Sequence, residues 1–103
     1  MLLSHCYVLR DGGGVAARVE DPDTGRGVTC STDQPGLLLY TGQFNSSSGP
    51  LLGRAGRVYG KYSGLCLETQ KFGNACNLPS FPSWTLLPGQ LYTHNTTYSF
   101  YTF

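Results

Sequence analysis

The sequence predicts an all-β chain of six to eight short antiparallel strands joined by Gly/Pro turns, with little or no helix. Three observations carry that expectation. Gly and Pro together supply twenty of the 103 residues and are scattered as punctuation along the whole length. No window sustains a 3.6-residue apolar period, so no segment reads as a helix. The longest patterned stretch, Leu91–Phe103, alternates with a period of two, which places successive side chains on opposite faces of a strand. Strands at this spacing fit a sandwich.

The elements follow in order. Tyr7-Val8-Leu9 reads as a short strand, and Arg10-Asp11-Gly12-Gly13-Gly14 as a loop. Val15–Glu20 and Gly27–Thr32 form a hairpin around Asp21-Pro22-Asp23-Thr24-Gly25-Arg26, where Pro22 presets φ and Gly25 can take φ > 0. Gln34-Pro35-Gly36 turns the chain into Leu37–Thr41, a short apolar run that suits a strand covered on both faces. Asn45–Pro50 is a polar loop and Leu51–Arg57 is irregular. Leu65–Gln70 is a strand. Phe72–Ser83 is an extended, proline-shaped loop. Trp84–Leu87 reads as a strand, Pro88-Gly89 as a tight turn, and Leu91–Phe103 as a long strand. Its Tyr92, His94, Thr96, Tyr98 and Phe100 share one face, and Thr93, Asn95, Thr97, Ser99 and Tyr101 the other. The first strand starts near residue 5, and several strands are apolar on both faces. Both features point to a missing partner surface.

Composition narrows the function. The chain is 40% hydrophobic and 13% charged, which argues against disorder by charge. A net charge of +1 without a basic run gives no electrostatic footprint for nucleic acid. No stretch approaches the ~20 apolar residues of a membrane-spanning helix, and the opening Met-Leu-Leu-Ser-His-Cys lacks the features of a signal peptide. The expected setting is therefore cytoplasmic. Cys6, Cys30, Cys66 and Cys76 are spaced by 24, 36 and 10, so no Cys-x-x-Cys pair suggests zinc. Free thiols, buried or half-buried, are expected, and the sequons at Asn45 and Asn95 carry no weight in that setting. No metal-ligand cluster appears.

The chemically distinctive stretch is Gly64-Leu65-Cys66-Leu67-Glu68-Thr69-Gln70. Glu68 is the only acidic residue after Asp33. As a strand, the run puts Leu65, Leu67 and Thr69 on one face and Cys66, Glu68 and Gln70 on the other. A lone carboxylate in an apolar strand is costly to bury unless paired. Two readings stay open: a surface Glu, paired for example with Lys61 or Lys71, or a general base in a cleft. His94 reads more readily as a packed, hydrogen-bonded histidine than as a catalytic one. Trp84 and the tyrosines are candidates for stacking on a ligand, although most aromatics in such a chain are ordinary core.

Several motifs resemble the C-terminal portion of the aldose 1-epimerase, or galactose mutarotase, family. They are Asp21-Pro22-Asp23-Thr24-Gly25-Arg26, Gln34-Pro35-Gly36, Tyr40-Thr41-Gly42, Leu67-Glu68-Thr69-Gln70, Asn77-Leu78-Pro79-Ser80-Phe81-Pro82, and Leu87-Pro88-Gly89 followed by Tyr92, His94 and Thr96. They arrive in the family's order and cover about Ser4 to Phe103. The resemblance implies a single partial domain, residues 1–103, the last third of a large β-supersandwich. It implies interconversion of the α and β anomers of free hexoses such as galactose and glucose, with no metal or organic cofactor. Glu68 is then the general base that takes the C1 hydroxyl proton, while a histidine protonates the ring oxygen. That acid lies upstream of this chain in the family's order, and neither His5 nor His94 matches it. Ser4 and Leu38 stand where the family carries an aspartate and a glutamine that touch the sugar. Activity would then need a complementing N-terminal segment or self-association. The alternative is a catalytically inactive carbohydrate-binding or interaction module. The motif order argues against an unrelated small β-sandwich lectin.

Overall fold

The computed structural model describes residues 3–10, 14–45 and 49–103. The loop expected around Asp11–Gly13, the Ser46–Ser48 part of the polar loop, and the first two residues lie outside the described residues. Eight strands occur among the described residues: β1 Ser4–Val8, β2 Val15–Asp21, β3 Arg26–Thr32, β4 Gly36–Tyr40, β5 Leu51–Leu52, β6 Val58–Tyr59, β7 Cys66–Gln70 and β8 Thr96–Thr102. They make two three-stranded antiparallel sheets, β1-β4-β7 and β2-β3-β8, and a two-stranded ribbon, β5-β6. The all-β architecture agrees with the sequence.

The β2–β3 hairpin closes as its residues dictate. Gly25 adopts φ +64, its N–H donates to the Asp21 carbonyl, and the Thr24 hydroxyl donates to the Asp21 carboxylate at 2.6 Å. Gly27 serves a different need. A Cβ there would lie 2.3 Å from the far end of the Tyr101 ring, so glycine lets that ring lie across β3 without shifting. The Tyr101 hydroxyl then donates to Glu20 at 2.8 Å.

β4 is the central strand of its sheet, with Leu37 only 3% exposed, but it is not covered on both faces as its apolar run suggests: Leu38 and Tyr40, on the opposite face, are half-buried. Leu51–Arg57, expected to be irregular, instead supplies β5 and the turn of the small β5–β6 ribbon. A 3-10 turn at Arg54–Gly56 connects the two strands, with Ala55 and Gly56 both at positive φ.

Two expected strands are corrected. Trp84–Leu87 forms no strand: it lies between Pro82 and Pro88, no strand runs beside it, and Trp84, Leu86 and Leu87 are exposed. The Pro88-Gly89 turn does form, with Gln90 N–H donating to the Leu87 carbonyl. Leu91–Asn95 also leaves the ladder. β3 ends at Thr32, the partner of Thr96, so residues before Thr96 have no strand to pair with. Asn95 bonds the turn instead: its backbone N–H and side-chain amide both donate to Asp33, and its carbonyl accepts from Asp33 N–H and the Thr32 hydroxyl.

The sheets meet over a thin core. Cys30, on the face of β3 that looks toward the other sheet, is fully buried beside Tyr98. Burial pushes its thiol up, a hydrogen bond to Tyr98 acting the other way. The remaining cysteines, Cys6, Cys66 and Cys76, are exposed, contrary to the expectation of burial. The radius of gyration is 16.6 Å, against about 13 Å for a compact chain of this length. The accessible surface is 7794 Å², against about 5,700 Å² for a compact protein of this mass. Twenty large apolar or aromatic side chains are exposed among the described residues, Leu91 at 86% and Phe100 at 82%. No helix among the described residues is long and apolar enough to cross a membrane.

Candidate active site

Strand register assembles the site. Directly opposed residues in antiparallel strands point to the same face. Cys6 pairs with Leu38, and Leu38 with Glu68. Ser4 pairs with Tyr40, and Tyr40 with Cys66. One face of the β1-β4-β7 sheet therefore carries Ser4, Cys6, Leu38, Tyr40, Cys66, Glu68 and Gln70. The three positions singled out in the sequence, Glu68, Leu38 and Ser4, share this face although they lie far apart in the chain. The other face carries His5, Tyr7, Leu37, Leu39, Leu67 and Thr69, and it looks toward the second sheet.

Aromatic pairs flank the Cys6–Leu38–Glu68 row, one toward each end of β4. At one end Tyr40 stacks with Phe44, the ring centroids 6.4 Å apart. At the other, Phe72 lies over Gly36 and meets Phe81 edge-on at 5.2 Å. Gly36 permits this approach, since a Cβ there would come within 3.0 Å of both the Phe72 ring and the Cys6 sulfur. Phe72 and Phe44 were missed by sequence reasoning. Phe72 had a legible signal, because it continues the Cys66, Glu68, Gln70 alternation.

Glu68 is exposed and has no ion pair among the described residues; neither Lys61 nor Lys71 reaches it. The Lys71 ammonium bonds the Ser83 carbonyl instead. Glu68 thus stands on an open face rather than in a cleft. An open cleft of about 960 Å³ lies elsewhere, between the ends of β1 and β2, and is lined by Arg10, Asp33 and Lys71 but not by Glu68. Size alone does not make that cleft the reacting centre. It contains no group matched to the base role, and its Asp33 is already bonded to Gln34 and Asn95.

The underside of β7 is held by polar bonds. Thr69 Oγ1 lies 2.9 Å from His94 Nε2 and 2.6 Å from Thr96 Oγ1, and the Tyr98 hydroxyl donates to the Leu67 carbonyl at 2.7 Å. Tyr92 OH approaches His94 Nδ1 at 3.3 Å. The Tyr98 phenol is raised, first by desolvation, with Cys30 and the Glu68 carboxylate pushing the same way. His94 is hydrogen-bonded, as expected from sequence, but exposed rather than packed. His5 lies on the same underside of β1 and Trp84 makes no ring contact with the site. No group of three or more metal-ligating side chains occurs among the described residues.

A model of the aldose 1-epimerase family matches residues 1–99. Over 84 residues the chain is 48% identical to a galactose mutarotase of Sus scrofa and 46% identical to those of Rattus norvegicus and Homo sapiens. Each match covers 82% of this chain and 24% of the relative. The chain thus spans about a quarter of the length of the curated relatives it matches.

Proposed function

This chain belongs to the aldose 1-epimerase family, and on that premise we propose that it supplies the general base, Glu68, for interconverting the α and β anomers of free hexoses such as galactose and glucose. It does so as the C-terminal part of a larger β-supersandwich. The observation that carries this reading is the gathering of Glu68, Leu38 and Ser4 on one open sheet face between two aromatic pairs. A hexose laid on that face meets apolar surface for its C–H groups and one carboxylate for its anomeric hydroxyl. Glu68 takes the proton of the C1 hydroxyl while an acid protonates the ring oxygen, so that the C1–ring oxygen bond breaks and C1 becomes a carbonyl; C1–C2 rotates, and closure on the other face reverses the roles. The sugar is neither oxidised nor reduced and no group leaves it, so the proposal invokes no metal or organic cofactor.

The acid must stand above this face. His5 points to the underside of β1, and His94 bonds Thr69 beneath β7. We therefore assign the acid to a complementing polypeptide, equivalent to the part of the relatives that this chain does not span. The surplus surface supports that assignment, as do the exposed Phe100 and the buried Gln43 Nε2, which has no partner among the described residues. A cytoplasmic setting belongs to the same proposal and suits three exposed free thiols.

The test is complementation. The chain is refolded with the remaining upstream portion of a galactose mutarotase, and mutarotation of fresh α-D-galactose is followed by polarimetry. The chain alone is expected at the spontaneous rate and the complemented pair well above it. A well-folded pair at the spontaneous rate would instead favour an inactive sugar-binding module, a reading that Leu38 and Ser4 in place of polar contacts also support.

A further inference from the structure

We infer that His94 is a positioning residue for Glu68, acting through Thr69 as a clamp on the underside of β7. This rests on the assignment of Glu68 as the base. β7 is an edge strand, laddered only to β4. Its other restraints come from below, and the two underside residues of the strand are both engaged. Leu67 offers its carbonyl to Tyr98, and Thr69 its hydroxyl to Thr96 and to His94 Nε2. His94 Nε2 also lies 3.2 Å from Thr96 Oγ1, so one ring nitrogen joins both threonines in a closed triangle. The ring is held from its far side by Tyr92, through the Nδ1 contact and an edge-on approach with centroids 6.4 Å apart. The segment that carries His94 is itself tied to the β3 end through Asn95 and Asp33.

The triangle matters because Thr69 directly follows Glu68. A shift of β7 that breaks the Thr69 bonds moves the carboxylate on the opposite face by the same amount. Misplacing a reacting group by about 1 Å costs on the order of 10²-fold in rate. The Glu68 carboxylate has no hydrogen bond among the described residues, so its placement depends on the β4–β7 ladder and on what holds β7 from below.

Amide exchange on the 103-residue chain separates this clamp from general stabilisation. In His94→Phe, exchange in Cys66–Gln70 is expected to accelerate about tenfold or more while Val28–Cys30 in β3 stays as in the parent. His94→Gln keeps a side-chain donor and acceptor near the threonines and is expected to restore slow exchange. Thr69→Val should reproduce the β7 effect, which keeps the test usable if His94→Phe does not fold. In the complemented pair, His94→Phe should lower kcat by about 10²-fold with KM within about twofold. Uniform acceleration in both sheets, unchanged exchange in β7, or a kcat that ignores a loosened β7 would each overturn the clamp. If the complemented parent is inactive, the assignment of Glu68 fails on its own, and the exchange pattern still decides whether His94 holds β7.

Discussion

The two faces of the β1-β4-β7 sheet obey opposite rules. The underside is covered at β4 and β7, where Leu37 is buried and Thr69 and Leu67 are bonded to Thr96, His94 and Tyr98, and open only at β1, where His5 and Tyr7 are exposed. The upper face is open: Glu68, Cys6 and Cys66 are exposed, and Leu38 lies between Cys6 and Glu68 as an apolar floor. The period of two along each strand makes this division possible, because neighbouring residues serve different ends. Anchoring and chemistry are thus interleaved one residue apart, at Leu37 and Leu38 and again at Thr69 and Glu68.

The leucine pair gives the largest expected contrast in stability. Leu37→Ala should cost about 2–5 kcal/mol, enough to unfold so small a core, whereas Leu38→Ala on the open face should cost less than about half of that. Urea titration of both variants checks this, and equal losses would show that the upper face is also sealed.

Thr69 and Glu68 repeat the comparison with polar groups. Thr69→Val removes one corner of the triangle, leaving His94 and Thr96 bonded to each other, and should cost about 0.5–1.5 kcal/mol, while Glu68→Gln should stay below that, within about 0.5 kcal/mol. Thermal unfolding distinguishes them.

Thiol chemistry sharpens the contrast without altering the fold. Cys6, Cys66 and Cys76 are exposed, whereas Cys30 is fully buried and its thiol is held neutral by desolvation. Titration with a disulfide reagent at mild alkaline pH should show three fast thiols and a fourth that reacts only in denaturant. Four fast thiols would mean that the sheets do not close over Cys30.

The smallest effect concerns pH. Hydrogen bonds from Gln34, and then from Asn95, hold the Asp33 carboxyl below its ordinary value. A carboxyl depressed in the folded state contributes stability that is fully present above its unfolded pKa and is lost as pH falls through the folded one. The Asp33–Asn95 tie should therefore be intact at neutral pH and weaken below the ordinary carboxylate range. Asp33→Asn should flatten that acid limb of the stability profile, and an unaltered limb would assign it to other carboxyls.

Much of this was legible in the sequence. The hairpin turn at Asp21–Arg26 and the alternation through Glu68 are local signals, and both formed. The gathering of Ser4, Leu38 and Glu68 was not locally legible, because it depends on β4 pairing with strands distant in the chain. Trp84–Leu87 and Leu91–Asn95 show the converse. Their side-chain patterns suit strands, but a strand also needs a neighbour: Trp84–Leu87 has none, and β3 ends before it can pair with Leu91–Asn95. The exposure of three cysteines has the same origin, since burial depends on which faces are covered rather than on residue type. Phe100 lies on the β8 face shared with Tyr98, yet is 82% exposed, because the first sheet does not extend over it.

The most direct test of Glu68 as the base compares initial mutarotation rates of complemented parent and complemented Glu68→Gln by polarimetry. The two preparations are matched for fold by circular dichroism. The account predicts that the substitution removes about 10²–10⁴-fold of the acceleration and leaves the fold unchanged. A Glu68→Gln preparation as fast as the parent would contradict it, and the base would have to be sought elsewhere.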